Sequence, residues 1–92
     1  MDIMLMVEKI IKDKRTEHLL DHLEQRWQDE NEYEDWKDYF KRIKHNIEER
    51  YPDVIITKAT KKPFGFCGTF NNKRFSIKMK INKQGFQLMG SA

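Results

Sequence analysis

The chain has 92 residues, enough for one domain, with a helical part over residues 1–51 and a β part over residues 53–90. Six Phe, three Tyr and two Trp supply apolar area for a compact core, which argues against disorder despite 36% charged residues. The single cysteine, Cys67, excludes an internal disulfide and favours a reducing, cytoplasmic location. The apolar first stretch is too short to cross a bilayer, so we expect no membrane partner.

Charge is divided unevenly along the chain. Residues 1–40 carry 12 acidic and 6 basic side chains, whereas residues 41–92 carry 3 acidic and 12 basic ones. The formal net charge of +3 hides this division. An excess of Lys and Arg in one half indicates an anionic partner for that half, and nucleic acid is the first candidate.

The first segment, residues 2–12, is compatible with two structures. Ile3, Val7 and Ile10 share one face of a helix, whereas Ile3, Leu5 and Val7 alternate as they would in a short strand. The spacing alone leaves both interpretations open.

A helix is predicted over about residues 16–28, with Thr16 as its cap and a face formed by Leu19, Leu23 and Trp27. At 100° per residue, this face points nearly opposite to the apolar face of the preceding segment. We therefore expect a break in the chain near residues 13–15.

The most regular pattern predicts a helix over about Asn31–Tyr51, ended by Pro52. Asn31 followed by Glu34 has the spacing of a capping box. Acidic residues crowd the start of this segment and basic residues its end, as the helix dipole favours. The apolar positions that share one face are Tyr33, Trp36, Phe40, Ile43 and Ile47.

Beyond Pro52 the apolar period changes from about 3.6 to 2, which indicates strands. The turn residues Asn71-Asn72 and the segment 82–85 separate the last three strands. The predicted strands are Val54–Thr60, Phe64–Phe70, Arg74–Ile81 and Phe86–Met89. The sequence therefore predicts an α+β fold, in which two or three N-terminal helices precede a three- to four-stranded antiparallel meander packed on them.

A two-residue loop at Asn71-Asn72 fixes which strand residues share a face. Phe70 then pairs with Lys73, Thr69 with Arg74, and the remaining pairs are found by moving one residue along each strand away from the loop. The face expected to lie under the helices contains Phe64, Phe66, Phe75, Ile77 and Met79. The opposite face, expected to meet solvent, contains Gly65, Cys67, Thr69, Arg74, Ser76, Lys78 and Lys80.

The segment Lys62-Pro63-Phe64-Gly65-Phe66-Cys67 resembles the start of the RNP1 motif of RNA-recognition domains. In that family the strand aromatics stack on bases, which would imply such a role for Phe64 and Phe66. However, Pro63 replaces the first glycine of the motif, and Thr69 falls where its last aromatic belongs. The register also turns both Phe side chains toward the core, so we expect them to be buried.

Basic residues concentrate in the β part, where Asp53 is the only acid after residue 50. An unbalanced basic face is the footprint expected for contact with a phosphate backbone. The leading hypothesis is a non-enzymatic binding or regulatory protein that contacts nucleic acid or a nucleic-acid-handling complex. Its predicted site residues are Arg74, Lys78 and Lys80 on the outer face, with Lys58, Lys61 and Lys62 at the rim.

The acidic segment Asp29–Asp38 supports an alternative, a protein-directed inhibitor or adaptor that binds a basic partner. Its predicted contact residues are Glu30, Glu32, Glu34, Asp35 and Asp38. A third hypothesis is a small nuclease. If residues 3–8 form a strand, the element order is similar in outline to that of ribosome-dependent mRNA-cleaving toxins, although the last strand lacks a matching His and Tyr set.

His18 and His22 lie four residues apart and, together with Asp21, faintly resemble the His-x-x-Glu-His pattern of metalloproteases. A zinc site needs three or four ligands, and the sequence indicates no third one. We therefore predict no metal site, no cofactor and no catalytic residues.

Overall fold

The computed structural model describes residues 2–30, 36–61 and 63–92, with backbone only for residues 27–30 and 36. Three helices and a four-stranded antiparallel sheet occur in these ranges, which confirms the predicted α+β class. Among the described residues, no helix combines the length and the apolar character needed to cross a bilayer. The elements are α1 Ile3–Lys12, α2 Lys14–Glu30, α3 Trp36–Arg50, β1 Val54–Lys61, β2 Phe64–Phe70, β3 Lys73–Asn82 and β4 Gly85–Ser91.

The first segment is a helix, so its interpretation as a strand is wrong. Four apolar side chains of α1 are buried, because the helix packs its 3–4-spaced face on α2, β3 and β4. The contacts with β3 and β4 join residues far apart in sequence, so local spacing could not choose between helix and strand. The topological likeness to mRNA-cleaving toxins required the strand and is therefore absent.

The predicted break between the first two helices is confirmed at Asp13, whose backbone is extended. Its carboxylate accepts a hydrogen bond from the Arg15 N–H at 2.9 Å, and its carbonyl accepts one from the Thr16 N–H at 3.0 Å. The prediction that Thr16 caps this helix is wrong, because α2 begins at Lys14 and the Thr16 side chain is fully buried. Asp13 is the capping residue.

Helix α3 ends at Arg50, one residue before the predicted end, and a turn at residues 52–53 leads into the sheet. Its buried face, which includes Tyr39, Ile43 and Ile47, packs against β1 and α2. The predicted start at Asn31 and the capping box of Asn31 with Glu34 lie outside the described residues.

The sheet is a meander in the order β1-β2-β3-β4. Asn71 and Asn72 both adopt positive φ, of 51° and 66°, which is the geometry of a two-residue hairpin loop. Phe70 pairs with Lys73, and the predicted register holds as far as Gly65 opposite Lys78. The β2–β3 register is therefore confirmed.

The five side chains predicted to lie under the helices are all buried, with Phe66 and Ile77 fully so. Burying one such side chain contributes about 1.5–3 kcal/mol. Helix α1 lies so close to β4 that a Cβ at Gly90 would overlap the side chains of Val7 and Ile11. A hydrophobic cluster of these buried residues thus joins the helices to one face of the sheet.

A polar network ties the α1–α2 junction to the end of α3. The Arg50 guanidinium pairs with the Asp13 carboxylate and donates to the Thr16 hydroxyl at 3.1 Å. The Tyr51 hydroxyl donates to the same carboxylate at 2.7 Å. Burial, with the hydrogen bond to Asp13 and the charge of Asp13, raises the pKa of Tyr51 to about 12.

Candidate functional site

The outer face of the sheet, opposite the helices, is the candidate functional site. Strand alternation places Arg74, Ser76, Lys78 and Lys80 of β3 on this face, as predicted. Their neighbours across the strands are small or uncharged. Thr69 lies beside Arg74, Cys67 and Ser91 flank Ser76, Gly65 and Met89 flank Lys78, and Gln87 lies beside Lys80.

A β-bulge in β1 adds Lys58 to the same face. Ile56 pairs with Gly68 and Lys58 with Cys67, which leaves Thr57 as the extra residue. Thr57 and Lys58 are both exposed, and the alternation resumes in the opposite phase with Ala59 buried. Strict alternation cannot bury both Ile56 and Ala59, so the bulge is what allows both side chains to face the core.

The Lys78 side chain is held in place rather than free in solvent. Its amino group donates to the Thr60 hydroxyl at 3.1 Å and to the Cys67 sulfur at 3.6 Å. Lys78 is half-buried by these neighbours, whereas Arg74 and Lys80 are exposed. The expectation that this face meets solvent therefore holds for Arg74 and Lys80 and is wrong for Gly65, which is buried. It is wrong in degree for the half-buried residues Cys67, Thr69, Ser76 and Lys78.

An open groove of about 650 Å³ crosses the outer face. Lys58 and Arg74 contribute positive charge to its lining, and Cys67 lies between them on β2. The hydroxyls of Ser76 and Ser91 contact each other at 2.8 Å on β3 and β4. The groove therefore offers cationic and hydroxyl donors, which suits an anionic ligand.

The charge of this surface is not balanced by acids of the sheet. Residues 54–92 contain eight Lys and Arg but neither Asp nor Glu. The Phe side chains of β2 and β3 are buried on the inner face, so none is available for stacking on the outer one. The outer face thus combines positive charge with small polar side chains.

The structure brings together four of the six predicted basic residues: Lys58, Arg74, Lys78 and Lys80. Lys61 is exposed at the end of β1, toward the β1–β2 connection, which agrees with its predicted position at the rim. Lys62 lies outside the described residues.

Little of the predicted acidic site can be located. Asp38 is exposed in the first turn of α3, where the helix dipole favours a carboxylate. Glu30 is the last residue of α2, and its side chain is not described. Glu32, Glu34 and Asp35 lie outside the described residues.

The side chains that resemble an RNA-recognition motif do not lie on the outer face. Phe64 is 5% exposed and Phe66 is fully buried, so neither ring is placed to stack on a base. The expectation that both belong to the core is confirmed. Phe66 instead meets Phe75 edge to face, with ring centres 6.5 Å apart.

His18 and His22 are both exposed on α2. Within residues 2–30, 36–61 and 63–92, no three His, Cys, Asp or Glu side chains gather as metal ligands would.

Comparison of the chain with protein-family models, curated proteins and solved structures finds no match in any of the three.

Proposed function

We propose that the protein is a small, non-enzymatic binding or regulatory protein of the cytoplasm that contacts nucleic acid, alone or within a nucleoprotein complex. The observation that carries this proposal is the outer sheet face, where Lys58, Arg74, Lys78 and Lys80 lie together in a sheet without acidic residues. Phosphate groups are the partners that such a surface attracts most strongly.

The geometry favours contact with the sugar–phosphate backbone over contact with bases. Binding of single strands relies on aromatic rings that stack on bases, and the Phe side chains of the sheet that are described face the core or its margin. Lysines supply charge without reading base edges. We therefore expect binding that tolerates sequence, falls steeply with salt and does not favour single strands over duplexes.

Hydrogen bonds from Lys78 fix the position of its amino group before a phosphate binds. The Thr60 hydroxyl and the Cys67 sulfur hold its amino group over β2, so less side-chain freedom is lost when a phosphate binds. Arg74 and Lys80, which are exposed on either side of it along β3, extend the positive surface along the strand.

Fluorescence anisotropy with a labelled oligonucleotide tests the proposal. The logarithm of the affinity should fall linearly with the logarithm of the salt concentration, with a slope of about −0.9 per phosphate contacted on duplex DNA. Replacing Arg74, Lys78 and Lys80 by Glu should abolish binding. Arg74 and Lys80 are exposed, so their replacement costs little stability, and the protein should stay folded without the two hydrogen bonds of the half-buried Lys78 because they lie outside the core.

A charge-matched variant tests whether binding depends on the outer face of the sheet or on net charge alone. Lys12, Lys14 and Lys41 are exposed on the helices, and changing all three to Glu alters the net charge equally. This helix variant should retain most of the wild-type affinity. Equal loss in the two variants would show that binding follows net charge alone, and no binding by the wild type at low salt would contradict the proposal.

A further inference from the structure

The peptide groups at the two edges of the sheet differ in whether another part of the chain covers them. At the β1 edge, the Ile56 N–H donates to the Glu48 carboxylate at 2.8 Å, and the Ile56 carbonyl accepts from the Lys44 amino group at 3.4 Å. Glu48 and Lys44 also pair with each other at 2.6 Å. Helix α3 thereby satisfies the central peptide groups of this edge and blocks strand addition there.

The β4 edge has no such cover among the described residues. Paired residues alternate between hydrogen-bonded and non-hydrogen-bonded positions, starting from Asn82 and Gly85 beside the two-residue turn. This alternation directs the N–H and C=O groups of Phe86, Leu88 and Gly90 away from β3. No hydrogen bond from the described part of the chain reaches them.

Strand β4 also lacks the side chains that normally protect an edge. Gly85–Ser91 contains no charged residue and no proline, whereas β1 carries Lys58 and Lys61. Met89 is 50% exposed on the outer face. An uncharged edge with free peptide groups is a template for another strand.

An apolar flank of α1 lies along the same edge. Val7 and Ile11 cover Gly90, and Met4 follows on the same side of the helix by the 3–4 spacing. Met4 is 39% exposed and Ile11 is half-buried, so this flank is incompletely covered. The helix and the strand together present a continuous apolar margin.

We propose that a second copy of the chain occupies this margin, by antiparallel pairing of the two β4 strands about a two-fold axis. With Leu88 on the axis, Phe86 lies opposite Gly90 of the second copy, beside the Val7 and Ile11 side chains that cover this glycine. Gln87 lies opposite Met89 of the second copy. No like charges face each other, so the strand is complementary to itself.

The result is one eight-stranded sheet whose two basic faces are continuous. The α1 flanks of the two copies meet above the axis and bury Met4. This arrangement does not depend on the proposed function, since the surface involved is the uncharged edge and not the basic face.

Sedimentation equilibrium of wild-type protein over a range of concentrations tests the proposal, with a reversible monomer–dimer equilibrium as the expected result. The variant Q87K/M89K places lysines opposite lysines in two symmetric pairs and should remain monomeric. Both positions are exposed, so circular dichroism should show an unchanged fold. The variant Q87E/M89E should also be monomeric.

Mixing the two monomeric variants gives the sharpest result. Each lysine then faces a glutamate of the other copy, so a one-to-one heterodimer should form. As a control, I55K adds a charge at an exposed apolar position on β1 and should not change wild-type dimerisation. A wild type that stays monomeric at millimolar concentration, a dimer that persists in Q87K/M89K, or the absence of a heterodimer would each overturn the proposal.

Discussion

The inner and outer faces of the sheet come from the same strands, yet they differ in burial and in charge. The inner face of β2 and β3 contains Phe66 and Ile77, both fully buried, while the outer face contains Arg74 and Lys80, both exposed. Alternate residues of one hairpin therefore supply either packing energy or surface charge. Because the core does not depend on the outer residues, their identity can change without loss of the fold.

Removal of an inner aromatic side chain should have the largest effect on stability. Phe66→Ala leaves a cavity beneath the helices and should lower the free energy of unfolding by about 3–5 kcal/mol. Thr69→Ala, on the outer face of the same strand, should change it by less than about 0.5 kcal/mol. Urea denaturation measures both values. Similar losses of unfolding free energy in the two variants would contradict the assignment of Phe66 to the core and Thr69 to the outer face.

A charged contact between Glu48 and β1 holds α3 on the sheet. Burial alone would raise the pKa of Glu48, but hydrogen bonds from Lys44 and the Ile56 N–H lower it from 4.5. A carboxylate with a lowered pKa stabilises the fold above pH 4.5 and loses this contribution as pH falls through the folded-state pKa. Glu48→Gln should therefore flatten the acid limb of the stability profile, and Glu48→Ala should cost about 1–3 kcal/mol at neutral pH.

The alkaline limb should depend on the network at the helix junction. The pKa of Tyr51 is raised from 10.0 to about 12, so its contribution is complete below pH 10 and is lost as pH rises through about 12. The loss should amount to roughly 1–3 kcal/mol. Urea unfolding between pH 9 and 12 should show a shallower decline for Tyr51→Phe than for the wild type. Parallel declines would contradict this account of the network.

The β2–β3 hairpin could be predicted in detail because its signals are local. Asn71-Asn72 fixes the loop, and a period of two then sorts every residue of the hairpin onto its face. The break at Asp13 followed in the same way from the angle between two apolar faces. By contrast, the helix over Ile3–Lys12, the bonds of Glu48 to Ile56 and the position of Lys78 over Thr60 depend on contacts between distant residues, which spacing does not encode.

The smallest expected effect comes from the acidic end of α3. Asp38→Lys reverses a charge that favours the helix dipole and should cost about 0.3–1 kcal/mol in a thermal or urea transition. The affinity of this variant for an oligonucleotide should be unchanged or improved, because the substitution lies outside the sheet and removes a carboxylate that repels phosphate. Loss of a protein partner without a loss of folding would instead favour the protein-directed inhibitor or adaptor.

The most direct test of the central claim is a nitrogen–proton correlation NMR titration with a short duplex at low salt. The backbone amides of residues 57–58, 67–69 and 74–80 should shift together and saturate at one affinity, and added salt should reverse the shifts. The buried helix residues around Ile43 and Ile47 should stay unchanged. Shifts confined to the helices, or no shifts at all, would contradict a nucleic-acid site on the outer face of the sheet.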